Sequence, residues 1–398
     1  MGRLRILTAG ESHGQQLTGI LEGMPAGLSL IAERDIDPVL LERQKGYGRG
    51  RRQQIEHDTA IILSGVRNGV TTGAPIALSI QNKDWVHWKE RMSVEPFRSE
   101  VQAVTIPRPG HADLAGAIKY GHASDLRNVF ERASARETAM RVALGAIANT
   151  LLRALDFESI SFVAAIGGIA GEADTIEDIF NARQIISVSP VRMLSPDAER
   201  RAIEKIDQAK SNGDTLGGIV ACMIRNVPAG IGSHVQWDRK LDGLLAQAVM
   251  SIQAVKGVEI GAGFHASHRF GSEVHDGIGT HDGTISRTRN NSGGIEGGMS
   301  TGEPIVLRAA MKPISTLMQP LGSVDLSTGE STKAHIERSD VCAVPALAVI
   351  VEQVVALTMA SELLETMGGD TMTELRERIK IRRARYSLEI LRNDLAQP

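Results

Sequence analysis

Short apolar or alternating runs, bounded by glycine, proline or asparagine, recur along the chain with the length and pattern of β-strands. These predicted strands are Leu4–Thr8, Leu28–Ile31, Ile61–Val66, Ile76–Ile80, Ser159–Ala165, Ile219–Arg225 and Ile305–Ala310. They cluster in groups and do not alternate strictly with helices. This order favours an α+β fold with antiparallel sheets over a doubly wound parallel sheet.

Longer segments place apolar residues at helical spacing and predict α-helices. The predicted helices are Thr138–Leu155, Asp197–Ser211, Leu241–Val255, Pro345–Met367 and Thr373–Asn393. Pro345 suits a first helical turn, where no N–H partner is needed. The helix that it opens is apolar over much of its surface and should be largely buried.

Composition limits how such a chain can be organised. Its 398 residues are 42% apolar but only 3% aromatic, so a core must be built mainly from aliphatic side chains. Few aromatic side chains are present to stack on nucleic-acid bases. No repeat, low-complexity tract or flexible linker divides the sequence, which predicts one large domain over residues 1–398.

The cellular location is predicted from the apolar segments and the cysteines. The longest apolar stretch, Val341–Val351, ends at Glu352 and is too short to span a membrane. Cys222 and Cys342 lie in apolar surroundings, which is typical of free thiols in a reducing compartment. No signal peptide precedes the first strand, so we expect a cytoplasmic protein with no membrane partner.

Candidate chemistry begins in the segment Thr8–Gly14, which directly follows the first predicted strand and places Ser12 and His13 between glycines. A histidine on such a turn can exchange protons near neutral pH. The pattern Gly10-x-Ser12-x-Gly14 also fits the nucleophile elbow of serine hydrolases. That elbow needs a helix after the serine, and the residues after Gly14 predict none, so the hydrolase is the weaker hypothesis.

Four histidines lie close together and raise the hypothesis of a metal site: His265, His268, His275 and His281. Glycines interrupt this segment, and neither a cysteine nor a His-Glu-x-x-His motif accompanies it. Polar loop histidines are therefore the simpler interpretation, and no metal is predicted. The chain also lacks a correctly spaced dinucleotide-binding or P-loop motif.

The net charge is only −3, but cations gather locally beside glycines and hydroxyl side chains. Residues 43–52 interleave arginines with glycines, and Arg108 shares a Pro-Gly turn with His111. Ser134 and Arg136 stand just before the long predicted helix, where free N–H groups attract phosphate. These features predict a site for a small polyanion.

Two histidines near these cations, His13 and His111, are the acid–base candidates of an enzyme acting on that polyanion. The competing hypothesis is a non-catalytic module that binds polyanions, including nucleic acid, through residues 43–52. Nucleic-acid binding would be steeply salt-dependent and indifferent to His13, whereas an enzyme would depend on both histidines.

Eight blocks of the sequence, in order and along nearly the full chain, resemble the chorismate synthase family. They are TAGESHG at 8–14, GYGRG at 46–50, SGVRNGVTTGAPI at 64–76, RPGHAD at 108–113, RASARET at 132–138, RNNSGGIEGGMSTG at 289–302, KPIST at 312–316 and RSD at 338–340. The resemblance implies a lyase of the shikimate pathway, which serves aromatic amino acid biosynthesis. This lyase converts 5-enolpyruvylshikimate 3-phosphate to chorismate and phosphate by 1,4-anti elimination.

The resemblance also implies a cofactor, an architecture and an assembly. The family requires reduced FMN, with NADPH as a candidate reductant of that flavin. Its fold is a β-α-β sandwich, with central helices between two antiparallel β-sheets, and its members are usually homotetramers. No extra segment of this chain predicts a flavin reductase, so we expect the monofunctional type.

The resemblance assigns roles to matching residues of this chain. His13 matches the histidine that protonates the reduced flavin, His111 the one that assists departure of phosphate, and Asp340 the carboxylate that helps flavin N5 accept the C6 proton. The implied substrate-binding residues are Arg43, Arg49, Arg52, Arg108 and Arg136. The implied cofactor-binding residues are Arg43, Arg49, Arg132, Ala133, Ser134, Gln253, Ala254, Gly297, Lys312, Pro313, Ile314, Ser315, Thr316 and Arg338.

Overall fold

The computed structural model describes residues 4–50, 57–171, 176–281, 283–337 and 339–385, together with 387, 389, 391 and 392. The strands are β1 (Arg5–Ala9), β2 (Gln16–Glu22), β3 (Ile61–Ile62), β4 (Val66–Arg67), β5 (Val70–Thr71), β6 (Ile76–Gln81), β7 (Glu158–Ile166), β8 (Ile169–Ala170), β9 (Gly218–Arg225), β10 (Val255–Ile260), β11 (Ile278–His281), β12 (Thr284–Arg287), β13 (Ile295–Glu296), β14 (Met299–Ser300), β15 (Ile305–Met311), β16 (Gly322–Val324) and β17 (Ser331–Lys333). The α-helices are α1 (Ala32–Asp35), α2 (Asp37–Gln44), α3 (Asp113–Tyr120), α4 (Arg127–Ala133), α5 (Thr138–Arg153), α6 (Ile176–Asn181), α7 (Arg183–Val188), α8 (Pro196–Ser211), α9 (Leu241–Met250), α10 (Gly271–Val274), α11 (Val344–Met367) and α12 (Met372–Ala384).

Two antiparallel sheets form the β-structure that frames the core. One has four strands in the order β1-β2-β6-β3, and the other has five in the order β10-β15-β9-β7-β8. Successive side chains of a strand point to opposite faces, so paired residues share a face. In the four-stranded sheet, Leu17 pairs with Ile80 and Leu21 with Ile76, and all four side chains are buried.

Two long helices lie against these sheets and against each other. Helix α5 contacts β2 and helix α11, and α11 in turn contacts β7 and β9. The two helices approach closely at Gly145 of α5, where an added Cβ would lie 2.5 Å from the backbone oxygen of Gln353. Glycine is needed there because any side chain would push the helices apart.

Helix α11 is the one helix among the described residues that is long and apolar enough to cross a membrane. Most of it is buried, however, since 83% of its most apolar window lies inside the protein. Apolar residues all around a helix are typical of a core position. The helix therefore contributes to the core, as its sequence predicts.

The prediction of a mixed α+β fold with antiparallel sheets is confirmed. The predicted strands at Leu4–Thr8, Ile76–Ile80, Ser159–Ala165, Ile219–Arg225 and Ile305–Ala310 correspond to β1, β6, β7, β9 and β15 within two residues at each end. The predicted helices at Thr138–Leu155, Asp197–Ser211 and Pro345–Met367 correspond to α5, α8 and α11.

Other boundaries predicted from the sequence are wrong. Leu28–Ile31 is not a strand, because only Ser29 forms a bridge, to Val70. The predicted strand Ile61–Val66 is divided into β3 and β4, since Gly65 turns the chain with a positive φ of 79°.

The predicted helix Leu241–Val255 ends at Met250, before Ala254 adopts a positive φ of 67° and Val255 begins β10. The predicted helix Thr373–Asn393 is shorter in the structure, where α12 ends at Ala384. Its start is close to the prediction, because Thr371 accepts a hydrogen bond from the backbone N–H of Glu374 and caps the first turn.

Candidate active site

A cleft of about 2630 Å³ collects most of the residues that the sequence singles out. Its lining comes from the loop after β1, the end of α2 and residues 45–50, the 108–112 turn, and residues 133–138 before and within α5. Residues from the segments 83–91, 99–106, 250–256, 311–316 and 339–341 also contribute to the wall. Residues 271–281 and 283–298 do not line this cleft.

His13 is held on two sides where it enters the cleft. Its Nδ1 atom lies 2.8 Å from Glu131 Oε1, and its backbone N–H donates to Oε2 of the same carboxylate at 2.8 Å. The imidazole stacks on the Trp88 ring with centroids 3.9 Å apart and planes 18° apart. The His13 side chain is 19% exposed and that of Glu131 only 1%, so a buried carboxylate anchors a partly accessible imidazole.

His111 has a similar buried partner. Its Nδ1 atom is hydrogen-bonded to Asp113 Oδ1, and Arg108 Nε donates to Asp113 Oδ2 at 2.9 Å. Burial alone would raise the pKa of Asp113, but hydrogen bonds from His111 and Arg108 outweigh burial and hold that pKa well below its usual range. Arg108 also donates to Glu337 Oε2 at 2.9 Å, so the turn at 108–113 is fixed by charged groups.

Arg43 and Arg136 share a carboxylate beneath the cleft. Asp58 Oδ2 accepts from Arg136 Nη1 at 2.7 Å and lies 3.9 Å from Arg43 Nη1. Arg43 also donates to Thr138 Oγ1, at 2.8 Å from Nη2. Burial lowers the pKa of Arg43, and Asp58 only partly offsets that effect. Arg43 Nη1 is buried and makes no hydrogen bond within the described part of the chain.

Arg49 and Asp340 meet at another part of the wall. Arg49 Nη1 lies 3.2 Å from Asp340 Oδ2, and the backbone N–H of Gly50 donates to Asp340 Oδ1 at 2.6 Å. The Arg49 Nε atom is buried and has no hydrogen-bond partner among the residues that the structure describes. Two guanidinium groups at this cleft thus keep a buried N–H without an acceptor in the described ranges.

Arg132 lies behind the cleft and shapes its lining. Its Nη2 atom donates to the Thr8 carbonyl at 2.8 Å and its Nη1 atom to the Gly10 carbonyl at 3.2 Å. These bonds tie helix α4 to the glycine-rich loop that carries His13. Arg132 is not part of the described lining, whereas its neighbours Ala133 and Ser134 are.

The remaining candidates for holding a cofactor lie on the opposite wall. Gln253 donates through Nε2 to Glu137 Oε2 at 3.2 Å, while its buried Oε1 atom has no hydrogen-bond partner within the described chain. Lys312 donates through Nζ to the Gly110 carbonyl and through its backbone N–H to Ala254 at 3.0 Å. The lining here comprises Gln253, Ala254, Lys312, Pro313, Ile314, Ser315 and Thr316.

Some predicted residues do not belong to the described site. Gly297 lies in the turn between β13 and β14 and does not line the cleft. Arg52 and Arg338 fall outside the described residues. His265, His268 and His275 are exposed, and the described part of the chain contains no group of three potential metal ligands.

Sequence reasoning missed the carboxylates and the aromatic ring that hold the site. Asp58, Glu131 and Glu337 have no local signal, because each acts on a residue far away in the chain. Asp113 could have been found, since it lies two residues after His111 in the same motif. Trp88 falls in a segment, 83–104, that predicts no regular element but lines the cleft.

The geometry argues against both alternative hypotheses. Ser12 is buried, and β2 follows it where a nucleophile elbow needs a helix. Arg43 and Arg49 are nearly buried and lie beside Asp58 and Asp340, whereas contacts to nucleic-acid phosphates need exposed cations.

Comparison with known proteins identifies the family. A family model described as chorismate synthase matches residues 4–364. The chorismate synthase of Bacillus cytotoxicus is 54% identical over 384 residues, covering 95% of this chain and 98% of its own. That of Geobacillus sp. (strain WCH70) is 53% identical over 390 residues, covering 97% and 100%.

A crystal structure of chorismate synthase superposes on this chain with a TM-score of 0.78 and 42% sequence identity, covering 96% of this chain and 98% of that one. These matches confirm the resemblance and the main predicted function, an enzyme of the lyase class, and they support neither the hydrolase nor the non-catalytic module. The chain belongs to the chorismate synthase family.

Proposed function

We propose that this protein eliminates phosphate from 5-enolpyruvylshikimate 3-phosphate to form chorismate, and that the cleft described above is its active site. One observation carries the proposal: two histidines, each on a buried carboxylate, face the same cleft as four buried or nearly buried arginines. That arrangement suits a substrate with several negative charges that must lose a phosphate and a proton.

The substrate carries two carboxylates and a phosphate, which need guanidinium groups and other N–H donors. Arg43 Nη1 and Arg49 Nε are buried donors without a hydrogen-bond partner among the described residues. A buried donor that makes no hydrogen bond costs about 1–3 kcal/mol, so an anionic oxygen bound there would recover that energy. Arg108 and Arg136 supply further positive charge, and Arg52 is proposed on the resemblance alone.

His111 is proposed as the group that assists departure of the phosphate. As the C–O bond breaks, negative charge develops on the leaving oxygen, and a proton or a cation stabilises it. Asp113 binds His111 Nδ1, which leaves Nε2 as the nitrogen that would deliver a proton. Arg108, 3.2 Å from the same Nδ1 atom, supplies a fixed positive charge beside it.

Asp340 and His13 are proposed as the remaining acid–base groups. Asp340 is oriented by Arg49 and by the Gly50 N–H, so its carboxylate is held in one direction at the cleft wall. It would help to remove the C6 proton. His13 would hold a proton on the side of the cleft where the cofactor is expected, with its ring fixed by Glu131 and Trp88.

Reduced FMN is proposed as the cofactor, and when bound it would supply electron density to the reacting centre. The residues present fit such a group. Gln253 Oε1 is a buried acceptor without a hydrogen-bond partner in the described chain, and a flavin carries N–H donors. Ser134, Lys312 and Ser315 would provide contacts for its phosphate and ribityl chain, in a cleft of about 2630 Å³ that can hold both molecules.

The proposed FMN-binding set also includes Arg132, Gly297 and Arg338. Arg132 would act by shaping the Thr8–Gly10 loop, because the structure directs its guanidinium to that backbone. Gly297 and Arg338 stay in the set through the family resemblance. We propose a monofunctional protein that receives its flavin already reduced. NADPH is proposed, on the same basis, as the reductant that acts on the flavin beforehand.

We also infer a single β-α-β sandwich domain. This inference is supported by one hydrophobic cluster extending from Leu17 to Ile379, and by helices α5 and α11, which pack together, α5 mainly against the four-stranded sheet and α11 against β7 and β9. A homotetramer and a cytoplasmic location are proposed from the family resemblance.

The activity is tested by anaerobic incubation of the protein with 5-enolpyruvylshikimate 3-phosphate and photoreduced FMN. Chorismate is followed by absorbance and phosphate by a coupled assay. The proposal predicts equal amounts of chorismate and phosphate with reduced FMN. No chorismate under these conditions would contradict it. A parallel reaction in air with oxidised FMN and NADPH distinguishes the types, since a monofunctional protein gives no product there.

A further inference from the structure

We propose that Glu131 is a positioning residue that fixes the orientation and the tautomer of the His13 imidazole. This inference deepens the proposed function, because it concerns the histidine assigned there to acid–base chemistry. It rests on contacts between two segments that lie 118 residues apart in the sequence. Neither the motif around His13 nor that around Arg132 indicates the pairing on its own.

The carboxylate of Glu131 makes contacts that fix both the ring and the backbone of His13. Oε1 lies 2.8 Å and Oε2 3.1 Å from His13 Nδ1, while Oε2 also accepts the His13 backbone N–H at 2.8 Å. The backbone carbonyl of Glu131 accepts the Ser12 N–H at 2.9 Å. Glu131 thus attaches the loop to α4 through both its backbone and its side chain, and that side chain is only 1% exposed.

The chemical consequence follows from the inventory of hydrogen-bond groups. An ionised carboxylate only accepts, so it requires a proton on His13 Nδ1. With Nδ1 committed in this way, Nε2 is the nitrogen through which His13 would give or take a proton.

Other charged groups lie near His13 on each neighbouring segment. Trp88 stacks on the imidazole, and an aromatic face favours a cation. Asp84 accepts from the Trp88 indole at 3.0 Å, and Arg91 lies 5.5 Å from the Trp88 ring centroid.

On the loop itself, the Glu11 carboxylate lies beside Gly14, and Arg132 binds the Gly10 carbonyl. Glu131 acts at the shortest distance to the His13 ring, from the most buried position. Its effect on the His13 ring should therefore exceed those of Arg91, which faces the Trp88 ring, and of Arg132, which binds backbone carbonyls.

Glu131→Gln is the informative variant because it keeps the size of the side chain. Its amide oxygen can still accept the His13 N–H, while its amide N–H would donate to Nδ1 and favour the neutral imidazole with its proton on Nε2. Glu131→Asp keeps the charge and is the rescue variant. Asp113→Asn is the matched control, since it removes the same kind of carboxylate from the other histidine.

The direct test is an NMR measurement of the two ring nitrogens in the full-length protein with isotope-labelled histidine, with the His13 signal assigned from its loss in His13→Ala. The neutral His13 ring should carry its proton on Nδ1 in wild type and on Nε2 in Glu131→Gln. The proton should remain on Nδ1 in Asp113→Asn and in Glu131→Asp. The same tautomer in Glu131→Gln and in wild type would overturn the proposal.

Kinetics provide a second readout and separate the two levels of the account. In Glu131→Gln, kcat should fall about 10- to 100-fold with KM nearly unchanged, and Glu131→Asp should recover part of that loss. A raised KM with a normal kcat in Glu131→Gln would also overturn the proposal. If wild type forms no chorismate, the proposed function fails, while the NMR measurement still decides whether Glu131 controls the His13 tautomer.

Discussion

The Nδ1 atom of His111 is hydrogen-bonded to Oδ1 of Asp113, at the first residue of helix α3, while Arg108 donates to the other oxygen of that carboxylate. The aspartate is 1% exposed, so its charge is balanced almost entirely by these neighbours. A three-residue turn thereby sets the tautomer of a histidine and the direction of its other nitrogen.

Asp113→Asn should lower the turnover number for chorismate by about 10²- to 10⁴-fold, because His111 would lose its orientation and its tautomer. The measurement is steady-state kinetics with reduced FMN under anaerobic conditions. The double variant with His111→Ala should be no slower than His111→Ala alone, since the two residues act as a unit. Additive losses in that double variant would contradict the pairing.

Stability should depend on the ionisation of Asp113. Its pKa in the folded protein is lowered, chiefly because hydrogen bonds from His111 and Arg108 outweigh burial. A carboxyl group with a depressed folded pKa stabilises the protein above its unfolded value of about 3.9 and loses that contribution as pH falls below it.

Urea unfolding should therefore show wild type losing more stability than Asp113→Asn as pH is lowered from about 6 towards 3. Parallel loss of stability in both proteins would show that Asp113 is not stabilised in its charged form. His111→Ala provides a companion measurement, because it removes one of the two residues that donate to Asp113. Its loss of stability over this pH range should be smaller than that of wild type.

Arg43→Lys should raise KM for 5-enolpyruvylshikimate 3-phosphate by about tenfold or more. A lysine keeps the charge but lacks the planar fork with which Arg43 contacts Thr138 through Nη2 while Nη1 points elsewhere. The control is Arg200→Lys on the exposed face of α8, which should leave KM unchanged. Equal KM values for Arg43→Lys and wild type would remove Arg43 from the proposed substrate-binding set.

A pair of helical glycines tests how closely α5 and α11 pack. Gly145→Ala should destabilise the protein by about 1–3 kcal/mol, because its Cβ would meet the Gln353 backbone. Gly243→Ala in α9 has no neighbour within 4 Å and should stabilise the protein by about 0.5–1 kcal/mol through helix propensity. Thermal and urea unfolding would measure both, and a stabilising effect of Gly145→Ala would contradict the described helix contact.

The sequence predicts those parts of the fold in which the local pattern and the tertiary environment agree. Helix α5 and strand β9 have strong periodicity and lie in the core, so their positions match. Strand β2 was not predicted, because Gln16, Thr18 and Gly19 make its pattern weak. Gly19 is required by packing, since an added Cβ would lie 2.5 Å from the sulfur of Met140 on α5.

The site shows the same division between local and distant information. His13 and His111 could be found in the sequence because titratable residues beside glycine or proline indicate functional turns. Their surroundings could not be found in the same way. Glu131 reaches His13 across 118 residues, and Asp58 reaches Arg136 across 78, so both contacts depend on the completed fold.

The most direct test of the central claim, that two histidines of one cleft carry out phosphate elimination, is an anaerobic single-turnover measurement on wild type, His13→Ala and His111→Ala. Each protein, in excess over the substrate, is mixed with 5-enolpyruvylshikimate 3-phosphate and reduced FMN. Chorismate formation is followed by stopped-flow absorbance. Wild type should convert all the substrate, and each variant should react about 10²- to 10⁴-fold more slowly while keeping its fold. Wild-type rates in both variants would contradict the account.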